Sequence, residues 1–226
     1  HLALRCFTPE QCVYAISVSH PDKVYRDRTV DFFNQHIEAA VQLDCDHMVV
    51  STGFAYLDVD AEDAFGWCAE AMGRIARKAE QEGVTLAVEP FTKYTTHICN
   101  EASQLRRLLR TVNSPRLMGL ADTDVIATTA VDTFSTFLDV IGPENLGHVH
   151  FVDGNPGGHL VPGDGVLDLD GALEKLKAIH YTGALGLEVL DRRYVFAPEA
   201  AMRQAMDWYK DCLLYTSDAA DDRISV

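Results

Sequence analysis

Four times along this chain a short apolar run carries an acid or an imidazole in its last positions. The runs are Thr85-Leu86-Ala87-Val88-Glu89, Leu117-Met118-Gly119-Leu120-Ala121-Asp122, Gly147-His148-Val149-His150-Phe151 and Ala184-Leu185-Gly186-Leu187-Glu188. Their length and apolar content fit buried strands, and a helical pattern lies between each pair. Repeated strand and helix units imply a parallel sheet with helical crossovers. In a (β/α) barrel every strand delivers its C-terminal residue to one rim. Glu89, Asp122, His150 and Glu188, at intervals of 33, 28 and 38 residues, are then brought together by topology alone.

The intervening segments support this reading. Val30, Phe33, Ile37 and Ala40-Val41 form one stripe within a helix predicted over Arg28 to Leu43. Asp60 to Glu82 is the longest helical stretch, with Phe65, Cys68, Met72, Ile75 and Ala79 on one face and Gly83 as its stop. Asn100 is expected to cap Glu101 to Thr111, and Asp170 to cap Gly171 to Ile179. Pro198 stands where a first helical turn tolerates it, opening Glu199 to about Lys210. Leu2 to Phe7 and His47 to Ser51 bring the strand count to six. A (β/α)8 barrel typically takes about 250 residues, so the expected fold is an α/β (β/α)8 TIM barrel truncated at its N-terminus, with about six of eight units present. An open doubly wound sheet is the alternative.

Both chain ends bear on the boundaries. The first residue is His1 rather than Met, which suggests a missing start. At the other end, Cys212-Leu213-Leu214-Tyr215-Thr216-Ser217-Asp218-Ala219-Ala220-Asp221 resembles the in-frame translation of a transposase sequencing adapter. The expected organisation is one barrel domain over 1–211 and a non-native tail over 212–226.

The net charge of −15 opposes a phosphate backbone, and it remains −13 once the three Asp and one Arg of the tail are set aside. Nucleic acid is therefore not an expected partner. No apolar stretch approaches the ~18 residues of a membrane span, and no signal peptide is visible. The six cysteines form no CxxC pair and lie mostly within apolar patterns, so they read as reduced thiols of a cytoplasmic protein.

Two Glu, one Asp and one His make a hard, oxygen-rich ligand set suited to Mn2+, with Mg2+ or Co2+ as alternatives, more than to structural zinc. Such a site retains negative charge and can hold a neutral polyol through its hydroxyls. His159, in the glycine-rich loop Gly154 to Gly165, is a candidate substrate contact. His148 is read as a packing residue pointing out of the lumen, and Pro162-Gly163-Asp164-Gly165 as a tight turn rather than a phosphate cradle. Trp67 and Trp208, on helices, read as core or subunit contacts rather than sugar-stacking platforms.

Several motifs in order carry a family resemblance: Val88-Glu89-Pro90-x-Thr92-x-Tyr94, His148-x-His150-Phe151-x-Asp153, Pro162-Gly163-Asp164-Gly165, and Tyr181-Thr182-Gly183 leading to Leu187-Glu188. Together they resemble the sugar isomerase and epimerase family of xylose-isomerase-like TIM barrels, and within it the ketose 3-epimerases. The resemblance runs from about Thr8 to Tyr209. It implies that Glu89, Asp122, His150 and Glu188 bind one divalent metal, and that Glu89 and Glu188 double as acid and base on opposite faces of a ketose or a fructoselysine-like derivative. It also implies a homo-oligomer when full length. A hydroxypyruvate-type isomerase or inosose-type dehydratase on the same scaffold shares the metal site. A non-catalytic sugar-binding barrel and an apurinic endonuclease are further alternatives.

Three positions depart from the family pattern. Thr95 stands where many ketose 3-epimerases place a second Glu, Lys93 stands in place of Arg, and Val125 occupies the position of a His three residues after the metal Asp. Lys93 and Thr95 nevertheless sit at the substrate end of their strand and are expected substrate contacts.

Overall fold

The computed structural model describes residues 16–53 and 58–221, with residues 213–221 described by backbone alone. Helices and strands alternate as α1 (Lys23–Gln42), β1 (His47–Ser51), α2 (Ala61–Glu82), β2 (Thr85–Glu89), α3 (Ala102–Val112) and β3 (Leu117–Asp122). Then follow α4 (Thr123–Thr129), α5 (Phe134–Ile141), β4 (Leu146–His150), α6 (Leu169–Ala178), β5 (Leu185–Gly186) and α7 (Pro198–Asp221). The strands pair in chain order, β1-β2-β3-β4-β5, each parallel to the next. A doubly wound sheet reverses its strand order at a switch point; this sheet does not, so it is an arc of a TIM barrel. Among the described residues there are five strands. The strand predicted over Leu2 to Phe7 lies outside them.

Local chemistry accounts for most element ends. The Asp60 carboxylate accepts from the backbone N–H groups of Glu62 and Asp63 at 2.8 and 3.3 Å, and Gly83 closes the same helix at φ 75°. Helix α1 begins five residues before its predicted start, because the Asp22 side chain accepts from Val24 N at 2.8 Å. Two predicted caps are corrected. Asn100 does not cap α3; Glu101 holds that position, while Asn100 Nδ2 donates to the Phe91 and Thr96 carbonyls, both at 2.8 Å. Asp168 rather than Asp170 caps α6, accepting from Gly171 N at 3.0 Å. Helix α7 continues past Lys210 to Asp221, since no Gly or Pro interrupts residues 211–221.

The core lies between the sheet and its helices. Leu86 and Val88 of β2 join Ile75, Leu105, Leu108, Phe137 and Ile141 in one buried cluster. Ala87 and Glu89 have the opposite strand parity and so face the concave side. Gly119 of β3 matters here, because a Cβ on it would come within 2.9 Å of Leu105 Cδ2 and 3.4 Å of Ile141 Cδ1. Helices α3 and α5 therefore rest directly on strand backbone. The β3–β4 register shifts between Gly119 and Leu120, after which Asp122 pairs with His150. Elsewhere Val88 pairs with Gly119, and His150 with Gly186.

Strand β5 is shorter than the predicted Ala184 to Glu188. Among the described residues it pairs with β4 alone, and its glycines have little strand preference. Cys68 and Cys99 are buried free thiols, with burial pushing Cys68 up to about 12, which suits their reading as small hydrophobes. Trp208 packs against Phe151 at 5.9 Å between ring centroids, and the Arg26 guanidinium lies 5.0 Å over the Trp67 ring. No helix among the described residues is long and apolar enough to cross a membrane.

Candidate metal centre

Glu89 is the last residue of β2, Asp122 the last of β3 and His150 the last of β4, and Glu188 follows β5 by two residues. One potential ligand atom from each lies within 4.8 Å of all the others. Ligands at about 2.0–2.6 Å from a single divalent ion lie within ~5 Å of one another, so the spacing fits one ion. The sequence expectation that four strand ends converge is met, and the four residues could hold a divalent metal.

His150 Nδ1 is the hub of the cluster. It lies 3.0 Å from Glu89 Oε1, 3.1 Å from Glu188 Oε2 and 3.4 Å from Asp122 Oδ2. Burial alone would lower the imidazole pKa, but the Asp122, Glu188 and Glu89 carboxylates outweigh it and raise it to about 11. Glu89 is 5% exposed, and burial pushes its carboxyl upward despite the hydrogen bond from His150. Asp122 is buried as well, yet the His150 and His159 rings hold it below the usual carboxylate range. This is a field of concentrated negative charge, of the kind a divalent cation neutralises.

The fit to a metal can be judged at Asp122. Its Oδ1 accepts from Asp124 N and Val125 N, both at 2.8 Å, capping α4. Its Oδ2 is buried and receives no hydrogen bond. Buried carboxylate oxygens are rarely left so, and one aimed into a carboxylate and imidazole cluster is suited to a cation. Thr123 Oγ1 donates to Val152 O at 2.6 Å and accepts from Val152 N at 2.9 Å, locking the end of β3 to the segment after β4.

His159 enters the same cluster from the long loop after β4. Its Nε2 lies 3.4 Å from Asp122 Oδ2 and 3.8 Å from Glu188 Oε2, and its Nδ1 lies 2.9 Å from Asp124 Oδ2. Burial would lower this ring's pKa, but Asp122 and Asp124 raise it to about 10. Lys93 and Thr95 are placed differently. Lys93 is exposed with its ammonium 5.6 Å over the Tyr94 ring, and the Thr95 hydroxyl lies 3.4 Å from that of Thr92. Both thus engage their own loop. Val125 is buried and apolar, in the first turn of α4.

His148 requires a correction. Residues two apart in a strand share a face, so His148 turns toward the same side as His150 rather than away from it. The two rings meet edge to face at 5.3 Å.

Two residues organise the rim: Asp153, which the sequence shows only as part of a family motif, and Asp124, which no sequence pattern singles out. Asp153 is buried and accepts four backbone N–H groups: Gly154 at 2.8 Å and Leu167 at 3.0 Å on Oδ1, Gly163 at 3.0 Å and Gly165 at 2.9 Å on Oδ2. The predicted turn at Pro162 to Gly165 is present, with Asp164 N donating to Val161 O at 3.0 Å, and it wraps around this carboxylate. Asp124, entirely buried, plays the equivalent part for Gly157 and His159. The available signal was an acid placed just before or within reach of a glycine-rich segment.

Comparison with known proteins agrees with the architecture. Fructoselysine 3-epimerase of Shigella flexneri is 26% identical over 209 residues, covering 92% of this chain and 75% of that protein. Ketose 3-epimerase of Arthrobacter globiformis is 30% identical over 118 residues, covering 52% of this chain and 39% of that protein. Among solved structures, the apo 3-keto-D-glucoside 4-epimerase from E. coli superposes with a TM-score of 0.78 at 20% identity, over 87% of this chain and 75% of that one. The model of the xylose isomerase-like TIM barrel matches residues 4–212, so the chain, with its polar quartet on the strand-end rim, belongs to that family.

Proposed function

We propose that this protein is a metal-dependent carbohydrate epimerase that inverts C3 of a ketose or of a fructoselysine-like ketose derivative. The observation that carries this reading is the convergence of Glu89, Asp122, His150 and Glu188 within 4.8 Å, with glutamates on the two outermost of the four positions. The four residues would hold one divalent ion, with Mn2+ preferred and Mg2+ or Co2+ possible for so hard a donor set. Such an ion supplies Lewis acidity, polarising the C2 carbonyl and C3 hydroxyl of a ketose and acidifying the C3 proton.

The chain's own residues do the rest. Glu89 and Glu188 reach the centre from β2 and from just after β5, the two outermost of the four strands that carry the quartet, so one carboxylate can remove the C3 proton while the other returns a proton to the opposite face. Burial of Glu89 raises its affinity for that proton, which suits a carboxylate that must carry it briefly. Asp122 and His150 have no free role beyond holding the ion. His159, with Nε2 turned into the cluster, is positioned to meet a sugar hydroxyl. The relatives whose names carry 3-epimerase chemistry support the reaction type, and Lys93, Thr95 and Val125 are the positions at which this chain's sugar preference would depart from theirs.

The test is to incubate the protein with Mn2+ and a panel of ketoses plus fructoselysine in D2O. The expected outcome is a C3 epimer carrying deuterium at C3. Water loss or an aldose product would move the reading to a dehydratase or isomerase on the same site. Neither epimer nor exchange with any sugar, at Mn2+ levels shown by calorimetry to saturate the site, would overturn the enzymatic reading in favour of a sugar-binding barrel.

A further inference from the structure

Within the loop from Gly154 to Leu160, the backbone of Gly157 and of His159 is anchored to one buried side chain. Asp124 is 0% exposed and lies two residues beyond the proposed ligand Asp122, yet its carboxylate is not one of the three that converge with His150. Its Oδ1 accepts from Gly157 N at 2.5 Å, and its Oδ2 accepts from His159 N at 3.0 Å and lies 2.9 Å from His159 Nδ1. Gly154 accommodates this path, since a Cβ there would come within 1.9 Å of Asp124 Oδ1. His159 itself is held at φ 48°, in the left-handed region that branched or bulky side chains avoid.

A carboxylate oxygen only accepts, so the ring nitrogen that faces it carries the hydrogen. With Nδ1–H committed to Asp124, the ring has one orientation left, and that orientation delivers Nε2 to within 3.4 Å of Asp122 Oδ2 and 3.8 Å of Glu188 Oε2. We propose that Asp124 is a positioning residue for the proposed epimerase site. It latches the loop after β4, holds His159 through its Nδ1–H, and so aims Nε2 at a hydroxyl of the bound sugar. The pair brings an imidazole to the centre from a loop, beside a helix turn in which Val125 is apolar and buried. The kinetic consequence rests on the epimerase reading; the arrangement of Asp124 and His159 does not.

The experiment separates the two. Nitrogen-15 NMR of histidine-labelled protein loaded with diamagnetic Mg2+ reads the ring directly, with the His159 signals identified by their loss in His159→Gln. The expected result is a protonated Nδ1 coupled to a slowly exchanging hydrogen, which becomes fast-exchanging in Asp124→Ala. An unprotonated Nδ1 in the unsubstituted protein, or an Nδ1–H indifferent to Asp124→Ala, would overturn the proposal, and the first of these needs no folded Asp124 variant. Where a ketose is turned over, Asp124→Ala and His159→Gln should each lower kcat/KM by about 10–100-fold, as loss of an orienting partner does. The double variant should lose no more than the worse single, because both changes disable one device. Losses that multiply would reduce Asp124 to a structural latch. Absence of any turnover would count against the epimerase and leave the NMR result to decide on Asp124.

Discussion

The two ends of the concave surface are built to different standards. Glu89, Asp122 and His150 end strands that are paired on both sides, and they are 5%, 1% and 3% exposed. Glu188 follows a strand of two residues that pairs with β4 alone among the described residues, and its side chain is 20% exposed. Three members of the quartet are therefore held by the core, whereas the fourth depends on a sparsely supported segment. Such segments sit at the low end of local stability. The difference teaches that ligand identity and ligand preorganisation are separate properties, and that the second falls off from β2 to β5.

The comparison can be broken hardest at the chemistry itself. Glu89→Gln and Glu188→Gln should each reduce C3 proton exchange by ~10²–10⁴-fold, the usual worth of a positioned acid or base. Mass spectrometry of deuterium uptake measures it. Exchange at the unsubstituted rate in either variant would remove that glutamate from its role. Next in size is the core beneath the well-held end. Leu86→Ala, at a fully buried position between sheet and helices, should cost about 2–5 kcal/mol in urea denaturation. Leu185→Ala, at a half-exposed position in β5, should cost distinctly less. Equal costs would mean that the two ends are equally supported.

Metal should sharpen the contrast by narrowing it. At 100 times its dissociation constant an ion bound only to the native state adds about 2.7 kcal/mol. In hydrogen exchange the gain in protection should concentrate at residues 185–190 rather than in β2 or β3, and a uniform gain would contradict the proposed asymmetry. The smallest effect lies on the outer surface. Asp27 is pulled down to about 2 by hydrogen bonds from Lys23 and Arg74. A carboxyl whose native pKa is depressed stabilises the fold above its unfolded value near 4 and loses that contribution as pH falls toward 2. Tm should therefore drop slightly more steeply between pH 4 and pH 2 in the unsubstituted protein than in Asp27→Asn. The difference should be small, because exposed pairs contribute little.

How far the sequence was legible follows the same gradient. β1, β2 and β3 begin and end where their apolar runs do. β2 and β3 are buried on both faces, so composition alone marks them, while β1 is fully buried on one face only. β4 lies one residue earlier than its apolar run, and β5 is shorter than its run because pairing and not composition limits a strand that pairs on one side alone among the described residues. The quartet was legible since topology carries strand ends to one rim. Asn100 and Asp170 were misread as caps because several polar residues near a helix start can serve, and tertiary contacts choose among them. The anchoring roles of Asp124 and Asp153 were hard to read for a related reason: their partners are backbone N–H groups up to 35 residues away, and a glycine-rich segment nearby is the one trace they leave in residue types.

One residue beyond the Val88–Gly119 pair, Glu89 stands level with Leu120; Asp122 lies two residues farther on and level with His150; Glu188 lies two residues past Gly186, which is level with His150. From first to last the quartet climbs four residues, or about 13 Å along a strand at ~3.3 Å per residue. In a flat, upright sheet these side chains would never meet. They meet because barrel strands lean by some 36° from the axis, so that positions stepping forward from strand to strand come to equal height. The quartet is thus a gauge of strand tilt: anything that flattens or straightens the arc separates Glu89 from Glu188 before it unfolds a single helix.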